Sequence, residues 1–219
     1  MNGSLGLLET TGLTPAMVAI DAMLKSASVQ ILQIELNDLS GVCVKVTGST
    51  ADVQTAIVVG HSLSEKMQGR PVSTVLTNVC AGAAPLMQSP PEFSPLIQQS
   101  VIFPVEAAEP HAADQLSSQP TPNITMNQES PMALGFIETQ GFTAVFQAID
   151  TACKAASVEV VGKEKLGGGY VTVVVQGQLA AVEAAVQAGT EEVEGLGKLI
   201  ASHVIARPSD AVLKLLPKL

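Results

Sequence analysis

The chain repeats itself. Sliding the 219-residue sequence along itself brings "SLGLLETTGLTPAMVAIDAMLKSASV" (residues 4–29) onto "ALGFIETQGFTAVFQAIDTACKAASV" (residues 133–158) without a gap. Leu5 meets Leu134, Gly6 meets Gly135, and Glu9-Thr10 meets Glu138-Thr139. Gly12 meets Gly141, Asp21 meets Asp150 and Lys25 meets Lys154, always at an offset of 129 residues. The register runs on through Glu35/Glu164, Gly48/Gly177, Val53/Val182 and Gly60/Gly189. Roughly a third of the positions up to about residue 79 are identical, so one module has been copied twice.

Both copies read alike. "LGLLET" and "LGFIET" are short strands ending near a glycine turn, each followed by an amphipathic helix. In the second copy Phe142, Val145, Phe146, Ile149, Cys153 and Ala156 recur at three- and four-residue spacing and are expected to form the buried stripe. "SVQILQIEL" and "SVEVVGKEK" read as second strands, and "VCVKVTG" and "VTVVVQG", rich in β-branched residues, as third strands. A second helix follows, which Ser49 or Thr50 can cap in the first copy. "VSTVLTNV" and "ASHVIARP" read as last strands, with a short helical tail after the second. The order β-α-β-β-α-β is the ferredoxin-like split arrangement, an α+β sandwich. The expected division is a first domain over residues 1–84, a linker over 85–131 and a second domain over 132–219.

The linker carries nine of the thirteen prolines, five acids (Glu92, Glu106, Glu109, Asp114, Glu129) and no Lys or Arg. Prolines forbid long helices and central strands, so it reads as a semi-extended connection. "LIQQSVIF" (96–103) is its candidate edge strand. Its length and acidity fit a segment lying over one face of the protein.

The net charge of −9, the absence of a basic cluster, the single Tyr and the lack of Trp argue against nucleic-acid binding. No run of about 18 uncharged apolar residues indicates a membrane span, and "MNGSLGLLET" does not read as a signal peptide. With 47% hydrophobic and 14% charged residues, surface is expected to be hidden in an oligomer. Cys43, Cys80 and Cys153 are far apart with no CxxC, and are expected to be structural in a reducing compartment, without a disulfide or a metal. His61, His111 and His203 have no local nucleophilic partner, so an enzyme is not expected. Glu9 and Glu138 end equivalent strands, where a structural role outweighs an acid–base one. Lys25 and Lys154 follow Asp21 and Asp150 by four residues, the spacing of a helix-surface ion pair. The triplet Gly167-Gly168-Gly169 leads into the strand "YVTVVV" rather than a helix, which excludes a phosphate loop.

"LGFIET", "AIDTACKAASVEVV", "KLGGGYVTVVVQG" and "SHVIARP", with "LGLLET" and "AIDAMLKSASV" in the first copy, closely resemble the shell-protein domain of bacterial microcompartments. Two copies in ordinary strand order resemble the tandem-domain, non-permuted members. The resemblance implies a homotrimer forming a pseudo-hexagonal tile in the shell of a cytoplasmic compartment. Such a tile packs edge to edge with other shell proteins around encapsulated enzymes, with a central pore for small metabolites or cofactors. It implies a pore lined by Lys165, Leu166, Gly167, Gly168 and Gly169 and by Asn37, Asp38, Leu39, Ser40 and Gly41. It further implies tile-edge contacts at Lys25, Lys154 and Arg207, with Asn78 in the first copy where the second has Arg207. Some tandem members hold an iron–sulfur cluster through a pore-loop cysteine. Neither loop here has one, so no cofactor is expected. The competing reading is a trimeric ferredoxin-like regulator binding a small molecule between subunits, since fold does not fix function.

Overall fold

The computed structural model describes residues 3–36, 40–80, 93–94, 99–102 and 132–217. The first module runs β1 (Ser4–Thr11), α1 (Leu13–Ser26), β2 (Val29–Leu36), β3 (Gly41–Gly48), α2 (Thr50–Lys66) and β4 (Val72–Leu76). From the linker, β5 (Phe93–Ser94) and β6 (Gln99–Ile102) pair with each other, and β6 extends the sheet beside β2. The second module runs β7 (Ala133–Gln140), α3 (Phe142–Ala155), β8 (Glu159–Lys165), β9 (Tyr170–Gly177), α4 (Leu179–Glu191) and β10 (Lys198–Ile205), then a short α5 (Asp210–Lys214). The strand orders β4-β1-β3-β2 and β10-β7-β9-β8, all antiparallel, are the ferredoxin-like topology the element order implied. The duplication reaches into irregularities: β2 and β8 are bulged at equivalent places, Ile31/Gln33 and Val160/Gly162.

Local chemistry sets these elements. Val42, Val44 and Val46 in β3, and Val171, Val173 and Val175 in β9, alternate onto the helix-covered face of their sheets and are buried there. Ser49 caps α2 by accepting the Asp52 N–H at 3.2 Å. In each module two helices cross closely over the sheet. Gly60 makes the crossing possible in the first, since a Cβ there would sit 2.7 Å from Met23 Sδ. Gly189 does so in the second, where a Cβ would lie 2.7 Å from the Ala148 carbonyl oxygen.

The stripe expected to be the buried face of α3 is so only in part: Val145 is buried and Ile149 and Ala156 pack on the core, but Phe142, Phe146 and Cys153 are exposed. Ala144, Val145, Ala148 and Ala152 face the module's own core. Phe142 (43% exposed) and Phe146 (51%) point away from it. The reason is that this helix has two packing faces: a narrow one of small residues toward its own sheet, and a broad apolar one. In α1 the equivalent broad face, Leu13 (7%) and Met17 (2%), is covered by the second module. There β7, β10 and α5 pack on α1, and Phe136, Val174, Ile205, Val212 and Leu215 join one apolar cluster with Leu13, Met17 and Ile20.

Replacing Gly189 by Ala tests the crossing. Ala gains roughly 1 kcal/mol of helix propensity, but the Cβ meets a backbone oxygen that cannot swing aside, and forced separation costs about 1–3 kcal/mol. The expected result is a net loss of about 1 kcal/mol in urea unfolding. An unchanged or raised midpoint contradicts it.

Candidate functional site

Two hairpin loops, β2–β3 and β8–β9, lie side by side in one chain. Gly167, Gly168 and Gly169 have φ of 74°, 56° and 81°, three consecutive left-handed residues that only glycine adopts without strain. The loop is closed by Tyr170 N–H donating to the Gly167 carbonyl at 2.9 Å and Leu166 N–H to the Tyr170 carbonyl at 3.1 Å. Gly141 N–H holds the Gly169 carbonyl at 2.9 Å, and Gly12 N–H holds the equivalent Ser40 carbonyl at 2.8 Å. Ser40 keeps the left-handed conformation (φ 62°) although it is not glycine. Its buried hydroxyl donates to the Gly167 carbonyl at 3.3 Å, tying one loop to the other. A Cβ at Gly168 would lie 2.8 Å from that hydroxyl. The glycine triplet therefore serves a left-handed turn first, and close approach to the sibling loop at Gly168. Asn37, Asp38 and Leu39 lie outside the described residues. Gly41 is buried at the start of β3, and Leu166 (3% exposed) is buried in the cluster between the modules. Lys165 is exposed, with its ammonium 5.8 Å from the centre of the Phe142 ring.

The seam between the modules is held by polar contacts at both ends. At one end the fully buried Glu138 carboxylate accepts the Leu13 and Thr14 N–H groups, each at 2.9 Å. It thereby caps α1, whose N-cap Gly12 has no side chain to do so. Burial raises the Glu138 pKa, and the two backbone N–H groups act in the opposite direction. At the other end, Asp21 accepts the Ser209 N–H at 2.8 Å and the Lys25 ammonium, and Lys25 also donates to the Arg207 carbonyl. The structure thus joins Lys25 to Arg207, while Lys154 and Asn78 remain exposed, Lys154 paired with Asp150. A small cleft of about 90 Å³, lined by Thr11, Pro15, Arg70, Tyr170, Lys198 and Leu199, opens along the seam. The sequence named Glu138 only as a structural strand end. Its partner was hidden because no spacing reveals which helix a distant carboxylate will cap.

Cys43, in β3, is half-buried, but Cys80 and Cys153 are exposed, contrary to the packing role expected of Cys153. Cys153 lies on the broad outer face of α3, with Phe142 and Phe146, and all three are exposed. Among the described residues no cluster of three His, Cys, Asp or Glu could hold a metal ion, and no helix is long and apolar enough to cross a membrane. His61 Nδ1 lies 2.9 Å from Ser73 Oγ and links α2 to β4. His203 is partly buried, which lowers its pKa. His111 lies outside the described residues.

Two expectations follow. Glu138→Ala leaves two buried N–H groups without an acceptor and costs about 2 kcal/mol at neutral pH. The raised pKa also fixes a sign: on top of the capping hydrogen bonds, the stability linked to the bound proton is fully present below the ordinary value of 4.5 and is lost as pH rises through the shifted value. Urea unfolding across this range is expected to show the advantage of wild type over Glu138→Gln shrinking with pH; a growing advantage contradicts the assignment. Burial pushes the Cys43 thiol up to about 11. Iodoacetamide at neutral pH is therefore expected to alkylate exposed Cys80 well before Cys43, read by peptide mass spectrometry.

Comparison with known proteins gives this architecture a family. A family model described as the BMC domain matches residues 4–80 and again 133–208, well over half of the chain. The bacterial microcompartment shell protein PduA of Citrobacter freundii is 48% identical over 93 residues, 42% of this chain and 97% of its own length. The carboxysome shell protein CsoS1C of Halothiobacillus neapolitanus is 49% identical over 88 residues, 40% of this chain and 90% of its own. A solved microcompartments protein from Desulfitobacterium hafniense DCB aligns over 96% of this chain and 98% of its own at 25% identity, with a TM-score of 0.37. The matched family is structural rather than enzymatic. The chain belongs to the BMC-domain family of bacterial microcompartment shell proteins, with two copies of the domain in tandem.

Proposed function

We propose that three copies of the chain close into a six-module ring that tiles the shell of a microcompartment in the bacterial cytoplasm, with a pore for small metabolites at its axis. The observation that carries this reading is the head-to-tail seam. The helix-free face of the second module's sheet covers α1 of the first, while the equivalent face of α3 keeps Phe142 and Phe146 exposed. An interface that joins unlike surfaces repeats, and it forms a ring when its rotation closes. The Ser40–Gly167 bond supports the pore, because it makes the two loops neighbours around one axis. In such a ring three glycine loops alternate with three carrying Asn37, Asp38, Leu39 and Ser40, so the opening is threefold with Asp38 and Leu39 narrowing it. Lys25, Lys154, Arg207 and Asn78 sit toward the tile perimeter. Neighbouring shell proteins pack there, and the encapsulated enzymes lie behind.

Sedimentation and electron microscopy of the purified protein test this. The expected particle has three times the 22.5 kDa chain mass and forms hexagonally packed sheets, alone or with other shell proteins. A discrete particle that never tiles, but gains thermal stability with a small ligand, favours the regulator reading instead. In the Asp38→Ala, Leu39→Gly double variant the pore is expected to widen in a crystal structure; unchanged dimensions sink the gating role.

A further inference from the structure

The seam inside one chain is a template for the seam between chains, and it names the residues. We propose that Glu9 caps helix α3 of a second copy of this chain, closing the surface that α3 leaves open; this rests on the ring reading above. Within the chain, Glu138 receives Leu13 and Thr14 N–H, and shifting each by the repeat offset gives Glu9, Phe142 and Thr143. Glu9 is exposed near the end of β1 where its sibling Glu138 is fully buried. At the other end, Gly141 starts α3 without a side-chain cap, and no carboxylate among the described residues receives its first N–H groups.

The second end of the seam carries over as well. Lys25 donating to the Arg207 carbonyl becomes Lys154 donating to that of Asn78, and Asp21 accepting Ser209 N–H becomes Asp150 accepting Cys80 N–H. Asn78 can replace Arg207 here because the contact uses a backbone carbonyl, not the side chain. The apolar middle is present on α3: Phe142 and Phe146 stand 6.0 Å apart and exposed, where Leu13 and Met17 are covered.

The open seam is also the more charged of the two. Lys163 and Lys165 lie over the two phenylalanine rings at 5.2 and 5.8 Å, where the first module has buried Ile34 and Leu36. The opposing sheet face carries Glu9, Glu35 and the Lys45–Glu35 pair at 3.0 Å. Cationic α3 surroundings facing an acidic strand end give this seam a complementarity that the inner seam lacks.

The full chain tests it by sedimentation across a concentration series and by amide exchange. Wild type is expected to be a trimer with slowed exchange at Phe142 and Thr143. Glu9→Ala should dissociate about tenfold more readily per seam and lose that protection, while Leu13 and Thr14, held by Glu138, keep theirs. Glu9→Gln should fall between. Phe146→Glu, at a position exposed in the protomer, should also dissociate the ring with the circular dichroism spectrum unchanged. A trimeric wild type whose Glu9→Ala variant assembles identically, with Phe142 and Thr143 equally protected, overturns the proposal and leaves the ring standing. A wild type that never trimerises overturns both.

Discussion

The buried carboxylate of Glu138 is the contact on which the arrangement of the two modules depends. Taking a charge out of water costs several kcal/mol unless something replaces the lost hydration. Here the replacement is the first turn of α1, whose unpaired N–H groups and positive dipole end point at the carboxylate oxygens. Each side solves the other's problem: the strand end supplies the cap that Gly12 cannot, and the helix supplies the donors that the carboxylate needs. Such a contact is directional, so it fixes where the second sheet sits on the first helix as well as that it sits there. The apolar cluster of Phe136, Val174, Ile205, Leu13 and Met17 adds area without direction.

From that placement the loop geometry follows. Gly12 N–H, beside the cap, holds the Ser40 carbonyl, and Gly141 N–H holds that of Gly169. The same turns that start the two long helices therefore anchor the two loops, and the docked modules bring the Ser40 hydroxyl to the Gly167 carbonyl. Among the differences between the copies are those at equivalent positions of the buried and the open seam. The strand valines and the helix-crossing glycines are retained. Leu13 and Met17 correspond to Phe142 and Phe146, Val174 to Lys45, and Ile34 and Leu36 to Lys163 and Lys165. In the proposed ring, one seam forms at the local concentration set by the linker, whereas the other would be found by diffusion. Charged and aromatic residues suit the second task, since they steer and orient partners more than they add affinity.

Much of the fold was legible because it rests on local periodicity. The alternation of Val42, Val44 and Val46, the Ser49 cap, the strand in "LIQQSVIF" and the repeat register all appear in the strand pairing. The expected α3 stripe holds at Val145 but not at Phe142, Phe146 and Cys153, for a physical reason. Spacing at three and four residues marks a face that packs, but it cannot say whether the partner is the same module or the next one. Phe142, Phe146 and Cys153 looked like core, while the inner face combines Val145 with the plainer Ala144, Ala148 and Ala152.

The sequence by itself determined that one β-α-β-β-α-β module occurs twice, that a proline-rich acidic segment joins them, and that the glycine triplet enters a strand and not a helix. Those are properties of order and spacing along the chain. Only the tertiary structure decided that Glu138 caps a helix 125 residues away, that Lys25 reaches Arg207, and that Ser40 touches Gly167. The physical reason is that these contacts join groups whose separation in sequence bears no relation to their separation in space, and each forms only after two sheets have docked face to helix.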